Sequence, residues 1–461
     1  MIIAGVAQTS QTTFLIINPA NEQEIAQAPQ ASKEQVNEAV LSANEAFKTW
    51  QKDENYRRNC LKIALQRIEK YKDNLANILT QEQGKPLSQA LSEVDGLIEQ
   101  FQDAIHFEIP ETVILDKQEV QIKVLRKPFG VVAIITPWNF PLWLTGKLAF
   151  ALVLGNTVVL KPSPHTPLST LLLGEIICDA FPAGVLNVIS GDDEVGALLT
   201  KQALVRHIAF TGSVETGKKI AHVAAADLKR VTLELGGNDP AIVLKDANPK
   251  LIAERIFWGA FSNTGQICTA IKRLYVHESL YEALTDKLIE IAKQVKIGDG
   301  LDPTTTMGPI NNLAQLTRIE TLVADAKQKG AEILIGGERL KQAGYFYPPT
   351  LVSNIKEGTA LVDEEQFGPV LPIITFKDEQ EAIERANGTQ MGLGASVWSS
   401  NEKHATQIAR QLESGIAWVN HALDLPDIAP FGGCKWSGIG RQGTMCWLET
   451  FTEPQSLSVL K

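Results

Sequence analysis

Cys268 lies in FSNTGQICTA, and thirty-four residues earlier Glu234 ends the apolar run VTLELGG. A thiol attacks as its thiolate and a carboxylate beside it serves as a general base, so the two residue types together are a minimum set for covalent catalysis. Each also has a plainer reading. A lone cysteine is usually buried filler, and a strand-end glutamate is usually a solvated charge. Gly236 and Gly237, directly after Glu234, would let backbone or ligand approach closely. Asn139 in TPWNFP is either a structural amide or a donor to a developing oxyanion. Lys161 in KPSP is either an exposed lysine or an ammonium within reach of a ribose or phosphate. In HIAFTGSVETGKK, Gly212, Ser213 and Gly217 fall where a helix N-terminus could face an anion. Gly212 to Lys218 also matches GxxxxGK, but Lys219 stands where a Ser or Thr must hold magnesium, and no GxGxxG opens a first strand. Alone, this loop identifies no nucleotide.

These groups need a frame. Residues 33 to 107 carry apolar positions at helical spacing, with Val36, Val40 and Ala43 followed by Leu61, Ile63, Leu65 and Ile68, and predict a helix-rich opening. From about residue 120, VVAIIT, TVVLK, VLNVIS, HIAFTG, VTLELGG and AIVL alternate with helical stretches, which predicts a parallel sheet covered on both faces. Ligands of such sheets bind beyond the carboxyl ends of the strands, at Thr136 to Pro141, Lys161 to Pro164, Gly212 to Gly217 and Glu234 to Pro240. A second set, RLYVH, AEILIGG, LPIITF, SVWSS and GIAWVN, predicts another α/β unit. No repeat or Gly/Ser linker separates them, so the units should interlock.

The chain has 461 residues, room for roughly three domains at about 150 residues each. With 44 % hydrophobic and 21 % charged residues it has the composition of a packed globular protein. The formal charge of -10 opposes non-specific attraction to nucleic acid or anionic lipid. Five separated cysteines, Cys60, Cys178, Cys268, Cys434 and Cys446, form neither a disulfide framework nor a metal site, and fit a reducing compartment. No metal is expected. The N-terminus does not read as a signal peptide, lacking its basic and apolar regions, and a cytoplasmic location is expected. Pro128 to Gly146 has no charge over 19 residues, but Pro128, Pro137 and Pro141 argue against a membrane helix there.

The strings TPWNFP, KPSPHTPLS, FTGSVETGKK, LELGGNDPAIV, NTGQICTA, DEEQFGPVLPI, ASVWSS and PFGGCKWSGIGR occur in this order, and with them the chain resembles the NAD(P)-dependent aldehyde dehydrogenases over essentially its whole length. The GGNDP string is similar to the succinate-semialdehyde branch. The resemblance implies a Rossmann-type cofactor domain over 1–108 and 129–236, an α/β catalytic domain over 237–446, and an arm from 109–128 and 447–461 that pairs subunits into a homodimer or homotetramer. It implies Cys268 as nucleophile, Glu234 as base, and Asn139 with the Cys268 amide as oxyanion donors. NAD or NADP would lie against Thr136, Pro137 and Trp138, Lys161, Ser163 and Pro164, Gly212, Ser213 and Gly217, and Leu235. Glu365 and Phe367 would flank the nicotinamide riboside.

Three departures qualify the pattern. Pro164 stands where many NAD-preferring relatives carry a ribose-binding glutamate, so NADP should be accepted at least comparably, with Lys161 and His165 close by. The entrance segment between Pro141 and Lys147 is one residue short, and Gln442 replaces a common glutamate. Of the remaining cysteines, Cys434 is expected nearest the pocket. The competing readings are a non-catalytic dehydrogenase-like binding or structural protein, an acylating or phosphorylating dehydrogenase, and a phosphate-loop nucleotidase. Cys268 and Glu234 oppose the first, Glu234 the second and Lys219 the third.

Overall fold

A computed structural model describes residues 1–424 and 426–461. Four helices, Lys33–Trp50, Glu54–Lys70, Lys72–Gln83 and Leu87–His106, form the opening. Ser32 starts the first by accepting from the Gln35 amide while the Gln35 side chain returns to the Ser32 amide, a reciprocal cap. Val36, Val40 and Ala43 are buried as the spacing predicts, as are Leu61 and Ile68. Ile63 is instead 36 % exposed, because two residues of helix turn it about 200° from Leu61.

The first sheet has a parallel centre in which Arg230–Glu234, Val205–Thr211, Val131–Ile135, Thr157–Lys161 and Leu186–Val188 lie side by side. Antiparallel strands complete it at both ends: Ile2–Ile3 against Leu186–Val188 followed by Val6–Ala7, and Gly438–Ile439 against Arg230–Glu234. The second sheet is parallel through Thr350–Ser353, Val370–Phe376, Ile271–His277, Asp239–Val243, Gly394–Trp398 and Ile416–Val419, with Glu332–Ile335 antiparallel at one end. Most of these are the runs the apolar spacing marks; Thr350–Ser353 is an addition, and AIVL, read with the first set, lies instead inside the second sheet, because the chain crosses over at Leu235 to Asn238. Buried on both faces, they carry continuous Val, Ile and Leu.

Thr112–Asp116, Val120–Pro128 and Thr452–Leu460 form a separate antiparallel sheet. The last of these strands begins five residues after 447, because Trp447 and Phe451 are buried in the core of the first sheet. Among the described residues no helix is long and apolar enough to cross a membrane; Val131–Ile135 is a strand and Trp143–Thr145 a single 3-10 turn.

His207 illustrates how closely the first core is filled. It is 1 % exposed, its Nε2 is 3.1 Å from Thr232 Oγ1, and its ring stacks on Phe129 at 5.4 Å. Burial, helped by the charge of Lys147, pushes its pKa down to about 3. The unfolded chain binds this proton below about pH 6.5 and the folded one does not, so stability present above pH 6.5 falls progressively towards pH 3, on the order of 1 kcal/mol per pH unit. Denaturant titrations at pH 7.5 and 5.5 should show a larger loss for the wild type than for His207→Leu; equal losses would refute this assignment.

Candidate active site

The chain passes from one sheet to the other in four residues, Leu235 to Asn238, between the strands Arg230–Glu234 and Asp239–Val243. Two glycines make that crossing possible. A Cβ on Gly236 would stand 2.1 Å from Glu365 Oε2, and one on Gly237 would stand 2.7 Å from the Cys268 carbonyl oxygen. The Gly237 amide donates to Glu365 Oε1 at 3.0 Å. Glu234, Glu365 and Cys268 are therefore gathered round one stretch of bare backbone.

Cys268 follows three residues in the left-handed region, Asn263 (φ 48°), Thr264 (φ 59°) and Gly265 (φ 70°). The two that are not glycine each cost on the order of 1 kcal/mol or more, and the turn they make brings Ile267 and Cys268 to the cavity. Asn139 Nδ2 donates to the Gln266 carbonyl at 2.9 Å, which leaves its second amide hydrogen for another acceptor. Lys85, fully buried, donates to Glu93 at 2.5 Å and to the Asn139 carbonyl at 2.9 Å. Glu93 accepts in turn from the amides of Leu142 (2.9 Å) and Trp143 (3.2 Å). One ion pair thus holds Asn139 and the short entrance segment.

Cys268, Glu234 and Asn139 all line one cavity of about 1530 Å³. That is larger than the roughly 300–1,000 Å³ of a typical small-molecule site. Glu234 is 2 % exposed with no hydrogen-bond partner on Oε1, and burial holds its pKa well above the usual carboxylate value while Lys147 pulls the other way. Neither Glu234 nor Lys161, 3 % exposed, is the solvated charge that its residue type alone suggests. Lys147 is itself buried, donates to Thr211 Oγ1 at 3.0 Å, and is pushed down by desolvation. The Cys268 thiol is raised by burial and then by the Glu234 charge, with Lys272 opposing.

Thr136, Pro137, Trp138, Lys161, Ser163, Pro164, Gly212, Ser213, Leu235, Glu365 and Phe367 lie on the same wall. Trp138 meets Phe367 edge-on at 5.3 Å. Thr136 Oγ1 is buried without a partner, and the Lys161 ammonium has one hydrogen bond, to the Pro162 carbonyl at 3.2 Å. Ser213 caps the helix Val214–Ala226, whose first turn opens into this region. Unpartnered donors, a buried cation and a helix N-terminus fit a phosphorylated dinucleotide. Two expected residues are not on the wall. Gly217 packs instead against Leu235, where a Cβ would be 2.5 Å from Leu235 Cδ2. Cys434 is held away by its amide bond to the Gly392 carbonyl and by Arg441, which donates to its sulfur.

Other residues enter the site without having been singled out in the sequence. Lys272 is 2 % exposed and donates to the carbonyls of Ile267 (2.9 Å) and Cys268 (2.6 Å), with Glu365 Oε1 3.6 Å away. A lysine inside the apolar opening IKRLYV was the available signal. Asp193 lines the Lys161 end, and its charge acts on Lys161, whose pKa burial lowers to about 8.

The pattern of the Aldehyde dehydrogenase family matches residues 6–457, and the chain belongs to that family. It is 40 % identical to a probable aldehyde dehydrogenase of a Pseudomonas species over all of this chain and 94 % of that protein. It is 36 % identical to the succinate-semialdehyde dehydrogenase (NADP(+)) GabD of Escherichia coli strain K12, over 95 % of this chain and 92 % of the other. The structure of a Bacillus cereus aldehyde dehydrogenase in complex with NAD+ superposes with a TM-score of 0.97 at 35 % identity, covering 100 % of this chain and 96 % of that one.

Removing the Lys272 ammonium takes away a cation that favours the Cys268 thiolate. Lys272→Met should slow iodoacetamide labelling of Cys268, followed by peptide mass spectrometry, by up to about tenfold at a given pH and raise its pH midpoint, while Lys272→Arg stays near wild type. An unchanged midpoint in Lys272→Met would remove the electrostatic role.

Proposed function

We propose that the protein oxidises an aldehyde to the carboxylic acid through a covalent bond to Cys268, hydrolysed by water that Glu234 activates. The observation that carries this is the meeting of Cys268, Glu234 and Asn139, from three separate segments, on one cavity wall. The cofactor is NAD or NADP, and when bound its nicotinamide ring supplies a hydride acceptor.

Glu234, with a free oxygen and a raised pKa, takes the thiol proton and leaves Cys268 as the thiolate. The sulfur adds to the aldehyde carbon. The carbonyl oxygen becomes an alkoxide held by the spare Asn139 amide hydrogen and the Cys268 amide. The carbon then loses its hydrogen as hydride, and the alkoxide collapses to a thioester on Cys268. Glu234, having returned its first proton to solvent, removes one from water; the hydroxyl adds to the thioester carbon, the C–S bond breaks, and the departing sulfur takes the proton back from Glu234, leaving the acid and the Cys268 thiol. Lys147, whose charge acts on both Glu234 and Cys268, favours the carboxylate and the thiolate in turn.

The cofactor and catalytic units follow the two sheets, and the three-stranded arm joins subunits. Its support is exposed apolar edge, with Val113, Ile114, Leu457, Val459 and Leu460 all at least 41 % exposed, a surface that proteins usually cover. A cytoplasmic setting is supported by five free cysteines. The small aldehyde remains the only substrate partner proposed besides the cofactor.

Cys268→Ala should lose more than about a thousandfold in kcat yet still bind cofactor, read by quenching of tryptophan fluorescence. Near-native turnover would sink the mechanism. Glu234→Gln, which removes the base for both steps, should slow the first turnover of reduced cofactor as well as the steady state. Because burial raises the Glu234 pKa, wild-type kcat should climb with pH through the neutral range, and Glu234→Gln should flatten that climb.

Pro164 removes one carboxylate from the ribose end, but Asp193 brings another to it. Asp193→Asn should therefore raise the efficiency ratio of NADP to NAD several-fold, mostly through the NADP KM, since one partly exposed charge is worth on the order of 1 kcal/mol. An unchanged ratio would show that the Asp193 carboxylate does not face the 2′-position.

A further inference from the structure

We propose that the aldehyde this site takes is uncharged, with an apolar or aromatic body, and that aldehydes ending in a carboxylate or sulfonate are poor substrates. The inference rests on the aldehyde-oxidising function above and deepens it.

Away from the cofactor groups, the cavity lining includes Phe140, Trp143 and Leu144 after Asn139, Ile267 beside Cys268, and Phe431, with the uncharged polar Gln89, Ser92 and Gln442. It is rigid. The Trp143 ring lies where a Cβ on Gly96 would come within 2.7 Å, the Trp143 carbonyl accepts from Gln100 at 3.1 Å, and its amide is held by Glu93. Phe140 and Trp143 stand edge to face at 6.3 Å. Flat apolar walls of this kind reward burial of an apolar body.

The decisive feature is where the cations go. Among the described residues, five basic side chains line the whole cavity: Lys147, Lys161, His165, Arg273 and Arg318. Lys161 and His165 lie at the Ser163–Pro164 end with Asp193. Arg318 donates to Glu364 at 3.1 Å and to the Glu365 carbonyl at 3.0 Å. Arg273 is 2 % exposed and spends its guanidinium on the carbonyls of Asn238 and Ala386, each at 2.8 Å. Lys147 is at the reacting end, tied to Thr211 and beside Glu234. None is left for the tail of a substrate among the rings. The one charged side chain that joins this stretch from the loop before Phe431 is Asp427, and Asp103 and Glu99 add negative charge close to it. An ω-carboxylate entering here loses hydration, finds no counter-ion and meets like charge. This sets the chain apart from what the name of its Escherichia coli relative states as that enzyme's substrate, despite 36 % identity.

The test is kcat/KM of the full-length enzyme, with NAD and with NADP, for hexanal, benzaldehyde, succinate semialdehyde and 4-aminobutanal. Hexanal or benzaldehyde should exceed succinate semialdehyde by at least about tenfold, mainly through KM. Asp427→Lys should narrow that gap several-fold by favouring the carboxylated aldehyde. A highest efficiency for succinate semialdehyde or for 4-aminobutanal overturns the inference while leaving the oxidation chemistry intact. Failure to oxidise any of the four would instead overturn the aldehyde-oxidising function itself.

Discussion

Everything at this site depends on the short crossing between the two sheets. Leu235 to Asn238 must leave the last strand of one parallel sheet and enter another within four residues, and the Leu235 amide is fixed to the Ser437 carbonyl at 2.9 Å while it does so. The Ser437 hydroxyl donates to the Gly236 carbonyl at 2.7 Å, which pins the crossing from the other side. With no side chains at 236 and 237, the backbone admits the Glu365 carboxylate and the Cys268 carbonyl at distances that any Cβ would forbid. Glu234 comes from the end of the first sheet, and Cys268 comes from the loop feeding the second. Their proximity is therefore a property of how the sheets are joined rather than of either sheet alone.

That junction is dry, and dryness sets the electrostatics. Burial disfavours both the thiolate and the carboxylate, so neither group ionises readily unless a cation is near. Lys147 supplies one on the Glu234 side and Lys272 one on the Cys268 side, the first through Thr211 and the second through the carbonyls of the nucleophile loop. A buried lysine costs free energy that only its partners offset. Lys272 also stands 3.6 Å from Glu365, so it joins the nucleophile to a carboxylate on the cofactor side of the cavity.

Much of this was legible in order along the chain, because a strand buried on both faces must be continuously apolar and the residue after it must be where ligands gather. VVAIIT led to Asn139, VTLELGG to Glu234 and TVVLK to Lys161 in that way. What stayed hidden was whatever depends on contact between distant segments. Gly217 had the spacing of a phosphate loop yet serves helix-to-strand packing against Leu235, and Cys434 had the neighbourhood but not the direction. Lys272 and Asp193 carry no local pattern; their importance is made by which segment lies opposite. Ile63 shows the same limit at smaller scale, since a run of apolar letters does not say which of them face inward until the helix phase is set.

The Lys85–Glu93 pair shows why such a site is built from polar groups at all. On stability alone, a buried ion pair is often no better than apolar residues of the same shape. Here, however, four charge-assisted bonds run from two side chains: one between them, one to the Asn139 carbonyl, and two from the Leu142 and Trp143 amides. The segment from 139 to 143 contains Pro141 and runs into a single 3-10 turn, so the Leu142 and Trp143 amides, at the head of that turn, find their partner in Glu93. An apolar pair would fill the space but leave the Leu142 and Trp143 amides unsatisfied, each at a cost of about 1–3 kcal/mol, and the Asn139 carbonyl with Asn263 Nδ2 alone. The ions therefore hold an irregular backbone in one conformation, and that conformation sets at once where the Asn139 amide points and how close Phe140 and Trp143 stand to the aldehyde. In this chain the same two buried charges that hold Asn139, the proposed oxyanion donor, also hold Phe140 and Trp143 in the cavity lining, which would couple the chemistry at the carbonyl to the choice of what is attached to it.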